Sequence, residues 1–158
     1  MIPYGRQEIT QTDIDAVVGV LQSDFLTQGP MVPRFEQSVA QHVGASHALA
    51  VNSATSALHI ACLALGLGPG DRLWTTPITF VASANCALYC GAEVDFVDID
   101  PRTYNLDPAK LEAAITPRTR AVMPVSLYGQ CADFDAINAI AWSSEVEPAN
   151  AASLSSPV

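Results

Sequence analysis

The stretch Asn52–Ser56, N-S-A-T-S, places the hydroxyls of Ser53, Thr55 and Ser56 where an apolar run gives way to a helix-like pattern. Backbone N–H groups at a helix start lack intrahelical acceptors, and the helix dipole adds partial positive charge, so this is a seat for phosphate. The same hydroxyls serve equally well as ordinary N-caps, whose task ends once a backbone donor is satisfied. Neither G-x-G-x-x-G nor G-x-x-x-x-G-K-[ST] occurs, so the dinucleotide and P-loop explanations lack their fingerprints. Phe80 sits at the next strand-to-helix junction, where an aromatic either joins the core or stacks on a planar ligand. Lys110 is the only lysine of the chain. Cys62, Cys86, Cys90 and Cys131 lack metal-ligand spacing and read as core packing in a reducing cytoplasm. His42, His47 and His59 fall inside or at the edges of predicted elements and read as structural.

Elements must hold these groups in place. His47–Val51 predicts a buried strand, and Ser56–Leu65 a helix apolar on nearly every side, covered on both flanks and stopped by Gly66. Upstream, Thr10–Ser23 predicts an amphipathic helix with Ile14, Val17, Val18 and Leu21 on one face and a Thr10/Asp13 capping box. A turn-rich Phe25–Pro30 follows, read locally as a plain connection. A second helix with Val32, Phe35, Val39 and Val43 on one face then ends at Gly44. Downstream come a strand at Arg72–Thr76, a buried helix at Val81–Cys90 closed by Gly91, and a strand at Glu93–Val97. A helix opened by Asp107 and Pro108, a strand at Ala121–Val125 and a helix from Asp133 to Ala141 complete the series. This alternation predicts an α/β fold: a mostly parallel sheet with helices on both faces.

With 158 residues, 49% of them apolar and 15% charged, the chain suits one globular domain with a sizeable core. A net charge of −9 argues against nucleic acid or an acidic membrane surface as a general partner. No apolar run approaches the roughly 18 residues of a membrane span. The N-terminus has no basic head followed by an apolar core, so no secretion signal is expected. Trp142–Val158 is rich in Ser, Ala and Pro without a sustained period and reads as a disordered tail, where a further strand would be expected instead.

Three motifs agree in order: N-S-A-T-S-A-L-H at Asn52–His59, T-T-P-I-T-F-V-A-S-A-N at Thr75–Asn85, and V-D-F-V-D-I-D-P-R-T-Y-N-L-D at Val94–Asp107. Together they resemble sugar-nucleotide aminotransferases of the DegT/StrS family, fold-type I enzymes that depend on pyridoxal 5′-phosphate. I-P-Y-G-R-Q at Ile2–Gln7 and L-T-Q-G-P at Leu26–Pro30 are similar to the branch acting in pseudaminic acid synthesis. That branch moves an amino group from glutamate to C4 of a UDP-linked 4-keto-6-deoxy-N-acetylhexosamine. The resemblance spans Ile2 to about Ala141 and implies a cytoplasmic enzyme, usually a homodimer. It implies that Ala54 and Thr55 hold the cofactor phosphate and that Phe80 lies against the pyridine ring. It further implies that Tyr4, Leu26, Thr27 and Gln28 contact the sugar nucleotide, with Ser53 where substrate and cofactor meet. The family often carries a His before the Y-G of Tyr128-Gly129; here Ser126-Leu127 precede it.

The family also carries, after the helix ending near Ala141, a D-x-S-H-A-like strand whose Asp pairs with the pyridinium nitrogen. A Schiff-base lysine and a small C-terminal domain follow it. Neither the motif nor that lysine is in this sequence, so 1–141 is expected to be a partial large domain, inactive alone, with 142–158 a frameshifted tail. A non-catalytic remnant that binds a phosphate ligand, or a family member making a different amino sugar, is the alternative. A sheet lacking its later strands would leave an open edge and bare apolar helix faces, with marginal solubility. Resequencing the coding DNA past the Ala141 codon in all three frames is expected to reveal D-x-S-H-A and a downstream lysine. If no frame holds them, the remnant reading takes over.

Overall fold

The computed structural model describes residues 5–144 and 147–148. Residues up to Ala50 form one compact unit and those from Val51 a second. In the first, α1 (Gln11–Leu21) starts at Thr10, whose hydroxyl accepts from the Asp13 amide at 3.4 Å. The Asp13 carboxylate answers by accepting from the Thr10 N–H at 2.8 Å, so the expected capping box is present. α2 (Met31–Val43) ends at Gly44, whose φ of +69° is the left-handed conformation that closes a helix without Cβ strain. The Glu36 carboxylate accepts from the Ala50 N–H at 2.8 Å and ties the following segment to α2. Neither helix buries a residue; Ile14, Val17, Leu21, Val32 and Phe35 keep their apolar stripes exposed.

The second unit is built on a parallel sheet. Its strands are β1 (Arg72–Thr75), β2 (Glu93–Phe96), β3 (Thr119–Met123) and β4 (Glu147–Pro148), in the order β2-β1-β3-β4. β1 pairs in parallel with both β2 and β3, setting Leu73 opposite Val94 on one side and Ala121 on the other. Helices α3 (Ala54–Ala64), α4 (Ala82–Tyr89), α5 (Pro108–Ala114) and α6 (Phe134–Ser143) cover it. Alternation of side chains along the strands divides the interior in two. Leu73, Ala121 and Met123 pack with Cys62 of α3 and Cys86 and Ala87 of α4. Trp74 and Val122 point the other way and pack with Leu111 of α5 and Ile137 and Ala141 of α6. Inside, the Trp74 indole donates to the Thr119 hydroxyl at 3.0 Å and the Thr75 hydroxyl donates to the Met123 carbonyl at 2.9 Å. These two bonds satisfy the polar groups of Trp74, Thr75 and Thr119 inside the sheet layers.

The fold class is as expected, and several boundaries differ. His47–Val51 forms no strand: Leu49 is 71% exposed, and no ladder forms along the segment among the described residues. An apolar run supplies side chains for a strand but not the neighbour whose N–H and C=O groups make one. α3 is covered on one flank only, burying Cys62 and leaving Ile60 and Leu63 exposed; α4 likewise leaves Leu88 and Tyr89 exposed. α6 runs through Trp142 to Ser143, past the expected end at Ala141. Glu147 and Pro148 then pair in parallel with Ala121 and Val122, so the sheet does continue where the sequence read as tail. The rest of that tail reading, 145–146 and 149–158, lies outside the described residues.

Ile137 and Leu111 are both fully buried between sheet and helices. Replacing either by Ala is expected to cost about 2–5 kcal/mol in urea unfolding, whereas Leu63→Ala on the exposed flank of α3 stays within about 0.5 kcal/mol.

Candidate active site at the carboxyl edge of the sheet

A parallel strand reached through a helix obliges that helix to run back, so its N-terminus stands at the carboxyl ends of the strands. α4 follows β1 in this way. α3 joins it because its other end is held at the amino edge, where the Arg120 guanidinium of β3 donates to the Leu65 carbonyl at 2.8 and 3.1 Å. The two helices lie side by side, with the His59 and Tyr89 rings 5.3 Å apart edge to face.

At the start of α3, Ser53 is the N-cap, with extended backbone and a hydroxyl accepting from the Ser56 N–H at 3.2 Å. The Ser56 hydroxyl donates to the Asn52 side-chain oxygen at 2.8 Å. Those two serines are therefore engaged within the turn. The amides of Ala54 and Thr55 have no acceptor among the described residues, nor has the Thr55 hydroxyl a partner there. Capping and free donors thus fall on different atoms of one turn: Ser53 caps, while Ala54 and Thr55 keep free donors at the positive end of the dipole.

Phe80 immediately precedes the N-cap of α4, Val81. Its carbonyl accepts from the Ser83 N–H at 3.0 Å, while the Thr79 and Ser83 hydroxyls bond at 2.9 Å. The Phe80 side chain is 74% exposed, which removes the core alternative and leaves a flat face at the carboxyl edge. Leu26, Thr27 and Gln28 lie in the first unit, in the exposed turn between α1 and α2, where Gln28 has φ +56°. Tyr4 lies outside the described residues.

Lys110 stands on α5, across the sheet from α3 and α4. Its ammonium is taken up by Asp98 at 3.3 Å, Asp107 at 3.7 Å and the Ile99 carbonyl at 3.1 Å. The Ile99 N–H and then Lys110 hold the Asp98 carboxyl below its ordinary range, while Arg102 brings Asp100 down to about 2. The Cys62 and Cys86 thiols meet inside the α3–α4 face, and that bond together with burial pushes Cys62 well up, away from thiolate chemistry.

Sequence reasoning passed over Asn105. Its carboxamide is 2% exposed, yet it donates to the Gln130 and Cys131 carbonyls at 3.1 and 3.0 Å and accepts from the Leu127 N–H at 3.1 Å. One side chain thereby stitches the loop after β2 to the loop after β3. Between those loops and the one after β1 lies a cleft of about 520 Å³ lined by Ile78, Thr103, Tyr104, Leu127, Tyr128 and Gln130. The only visible trace in the sequence was a run of turn-forming residues in each loop, which carries no sign of the partnership.

The edge combines a helix start with free amides, an exposed aromatic ring and a lined cleft. Residues 7–148 match the model of the DegT/DnrJ/EryC1/StrS aminotransferase family. The UDP-2-acetamido-2-deoxy-3-oxo-D-glucuronate aminotransferase of Pseudomonas aeruginosa is 55% identical over 137 residues, 86% of this chain and 38% of that protein. The GDP-perosamine synthase of Caulobacter vibrioides is 53% identical over 128 residues, 80% of this chain and 34% of that one. Among solved structures, NtdA from Bacillus subtilis with bound cofactor PMP superposes with a TM-score of 0.83 at 35% identity, covering 89% of this chain and 33% of NtdA. The chain thus spans little more than a third of the length of the curated relatives it matches. On the extent of these matches, the chain belongs to the DegT/DnrJ/EryC1/StrS aminotransferase family.

Proposed function

We propose that this chain is the cofactor-cradling part of a pyridoxal-phosphate-dependent aminotransferase acting on a keto sugar linked to a nucleotide. The observation that carries it is the pair of free amides at Ala54 and Thr55, on a helix start whose cap is already satisfied, in a chain of this family. Pyridoxal phosphate, when bound, supplies the electron sink through which an amino group passes from donor to acceptor. The chain's own share is to bind and orient. The Ala54 and Thr55 N–H groups hold the phosphate, and Phe80 covers the ring. Ser53 stands at the boundary with substrate; Tyr4, Leu26, Thr27 and Gln28 meet the sugar nucleotide. Residues 1–141 are then the large-domain part of a longer protein, which supplies the carboxylate for the ring nitrogen and the cofactor-bonding lysine. Lys110 fits neither task, being paired with Asp98 and Asp107 on the far face.

The substrate we assign is a UDP-linked 4-keto-6-deoxy-N-acetylhexosamine, aminated at C4 from glutamate as in pseudaminic acid synthesis, by a cytoplasmic homodimer. Support comes from the openings Ile2–Gln7 and Leu26–Pro30. Among the described residues no helix is long and apolar enough to cross a membrane. The second reading is a phosphate-binding remnant without catalysis, favoured by the engaged state of Lys110.

Two measurements test the assignment. Ala54 is the first residue of α3 and follows extended Ser53, so Ala54→Pro deletes one amide while leaving the helix start intact. Thermal stability is expected to hold or rise slightly, while calorimetric affinity for pyridoxal phosphate falls about tenfold or more. Unchanged affinity would remove the phosphate seat. Borohydride reduction of this chain with pyridoxal phosphate, followed by peptide mapping, is expected to give only slow labelling of Lys110 and the α-amino group. A fast, stoichiometric adduct on Lys110 would make the chain an enzyme in its own right.

A further inference from the structure

We propose that the cleft between the loops after β1, β2 and β3 is a subsite for a flat, uncharged heteroaromatic ring of nucleobase size, walled by Tyr104 and Tyr128 and braced by Asn105. It opens at the carboxyl ends of three neighbouring parallel strands, the place where α/β sheets take ligands. At about 520 Å³ it falls in the range of small-molecule sites, and its lining fits them: Ile78, Leu127 and two tyrosines, with Thr103 and Gln130 as the polar minority. Among the described residues no charged side chain lines it, so the lining offers a neutral ring apolar and aromatic surface and a phosphate no ionic partner.

The backbone gives the second line of argument. Tyr104 and Tyr128 have φ of +60° and +54°, a region that bulky residues rarely occupy, and both line this one cleft. Such conformations persist where surrounding bonds enforce them, and they gather at ligand clamps. Asn105 is the enforcing group: it directly follows Tyr104 and receives the Leu127 N–H beside Tyr128. The rings stay open to solvent, 56% for Tyr104 and 88% for Tyr128, and neither pairs with another ring among the described residues. Two unpaired, exposed aromatic faces held at a cost on one cleft are what stacking on a third ring requires. Asn105 touches no ligand itself and acts as a positioning residue through the two loops.

The inference rests on the sugar-nucleotide reading only for the source of the ring, which would be the base. Saturation-transfer NMR of the 158-residue chain with uridine 5′-monophosphate and, separately, guanosine 5′-monophosphate tests it. Saturation is expected on base protons above ribose protons. Tyr128→Ala and Tyr104→Ala should each weaken binding about tenfold, and Tyr128→Phe should hardly change it. Tyr128→Gly removes the left-handed strain, so its melting temperature is expected to stay level or rise while ring binding falls. Asn105→Asp places a carboxylate against two carbonyls; the Leu127 amide should exchange faster, with the Leu73 and Val122 amides still protected, and the probe should bind more weakly. Preference for the guanine ring would keep the subsite and overturn the UDP assignment. No base-proton saturation by either probe, or binding indifferent to both alanine variants, would overturn the subsite itself. Weaker binding in Asn105→Asp without faster Leu127 exchange would overturn the bracing role.

Discussion

Parallel pairing on both sides of Arg72–Thr75 is the interaction on which the rest of the structure depends. A parallel neighbour lies beyond the reach of a tight turn, so each connection crosses over through a helix that returns antiparallel to the strands. This requirement brings the start of α4 and the loops after β1, β2 and β3 to one edge, whatever their sequences. Because helices cover both faces of the sheet, the side chains of Leu73, Trp74 and Thr75 are buried. Leu73 enters the α3–α4 layer and Trp74 the α5–α6 layer. The amino edge is held by charge instead: Arg72 and Arg118 share Glu93, and Arg118 also donates to the Gly70 carbonyl at 2.9 Å. These pairs are partly exposed and contribute little each. Their position matters more, since they align the strand starts at the end away from the candidate site.

What the sequence disclosed about this fold is what is decided within four residues. Thr10, Asp107 and Asp133 cap helices as read, because a cap needs only a side-chain oxygen and an amide two or three positions on; of the three hydroxyls that could cap α3, Ser53 does so. Gly44, Gly66 and Gly91 stop helices as read, each at positive φ. Legibility ended where a partner was required. His47–Val51 had the apolar character of a strand and, among the described residues, no neighbour to pair with. Glu147–Pro148 has poor strand character and nonetheless pairs, because β3 offers an unpaired edge. The apolar surround of α3 was legible, its covering was not, and Ile60 and Leu63 lie bare.

The site divides in the same way. A helix start with free donors at Asn52–Ser56 was visible because cap and donors lie in one turn. The structure refines that reading by atom, giving Ser53 to the cap and leaving the next two amides free. Phe80 was ambiguous from sequence, since an aromatic after a strand suits core and ligand alike. Its exposure removes the core alternative. Asn105 could not have been found, because its partners lie 22 to 26 residues away and are backbone atoms, whose identity leaves no trace in composition.

One edge therefore carries two kinds of loop, and hydrogen-bond accounting separates them. Backbone groups removed from water must find partners, and most do so within the protein. Around Asn105 the accounting closes internally: the Leu127 amide and the Gln130 and Cys131 carbonyls are all satisfied by one carboxamide, so that wall is built without any ligand. At the start of α3 it stays open, since Ala54 and Thr55 keep donors that no described group accepts. A closed account makes a scaffold, and an open one leaves donors free for whatever meets them. Both stand along the carboxyl ends of one parallel sheet, so a closed wall and a helix start with free donors belong to the same edge.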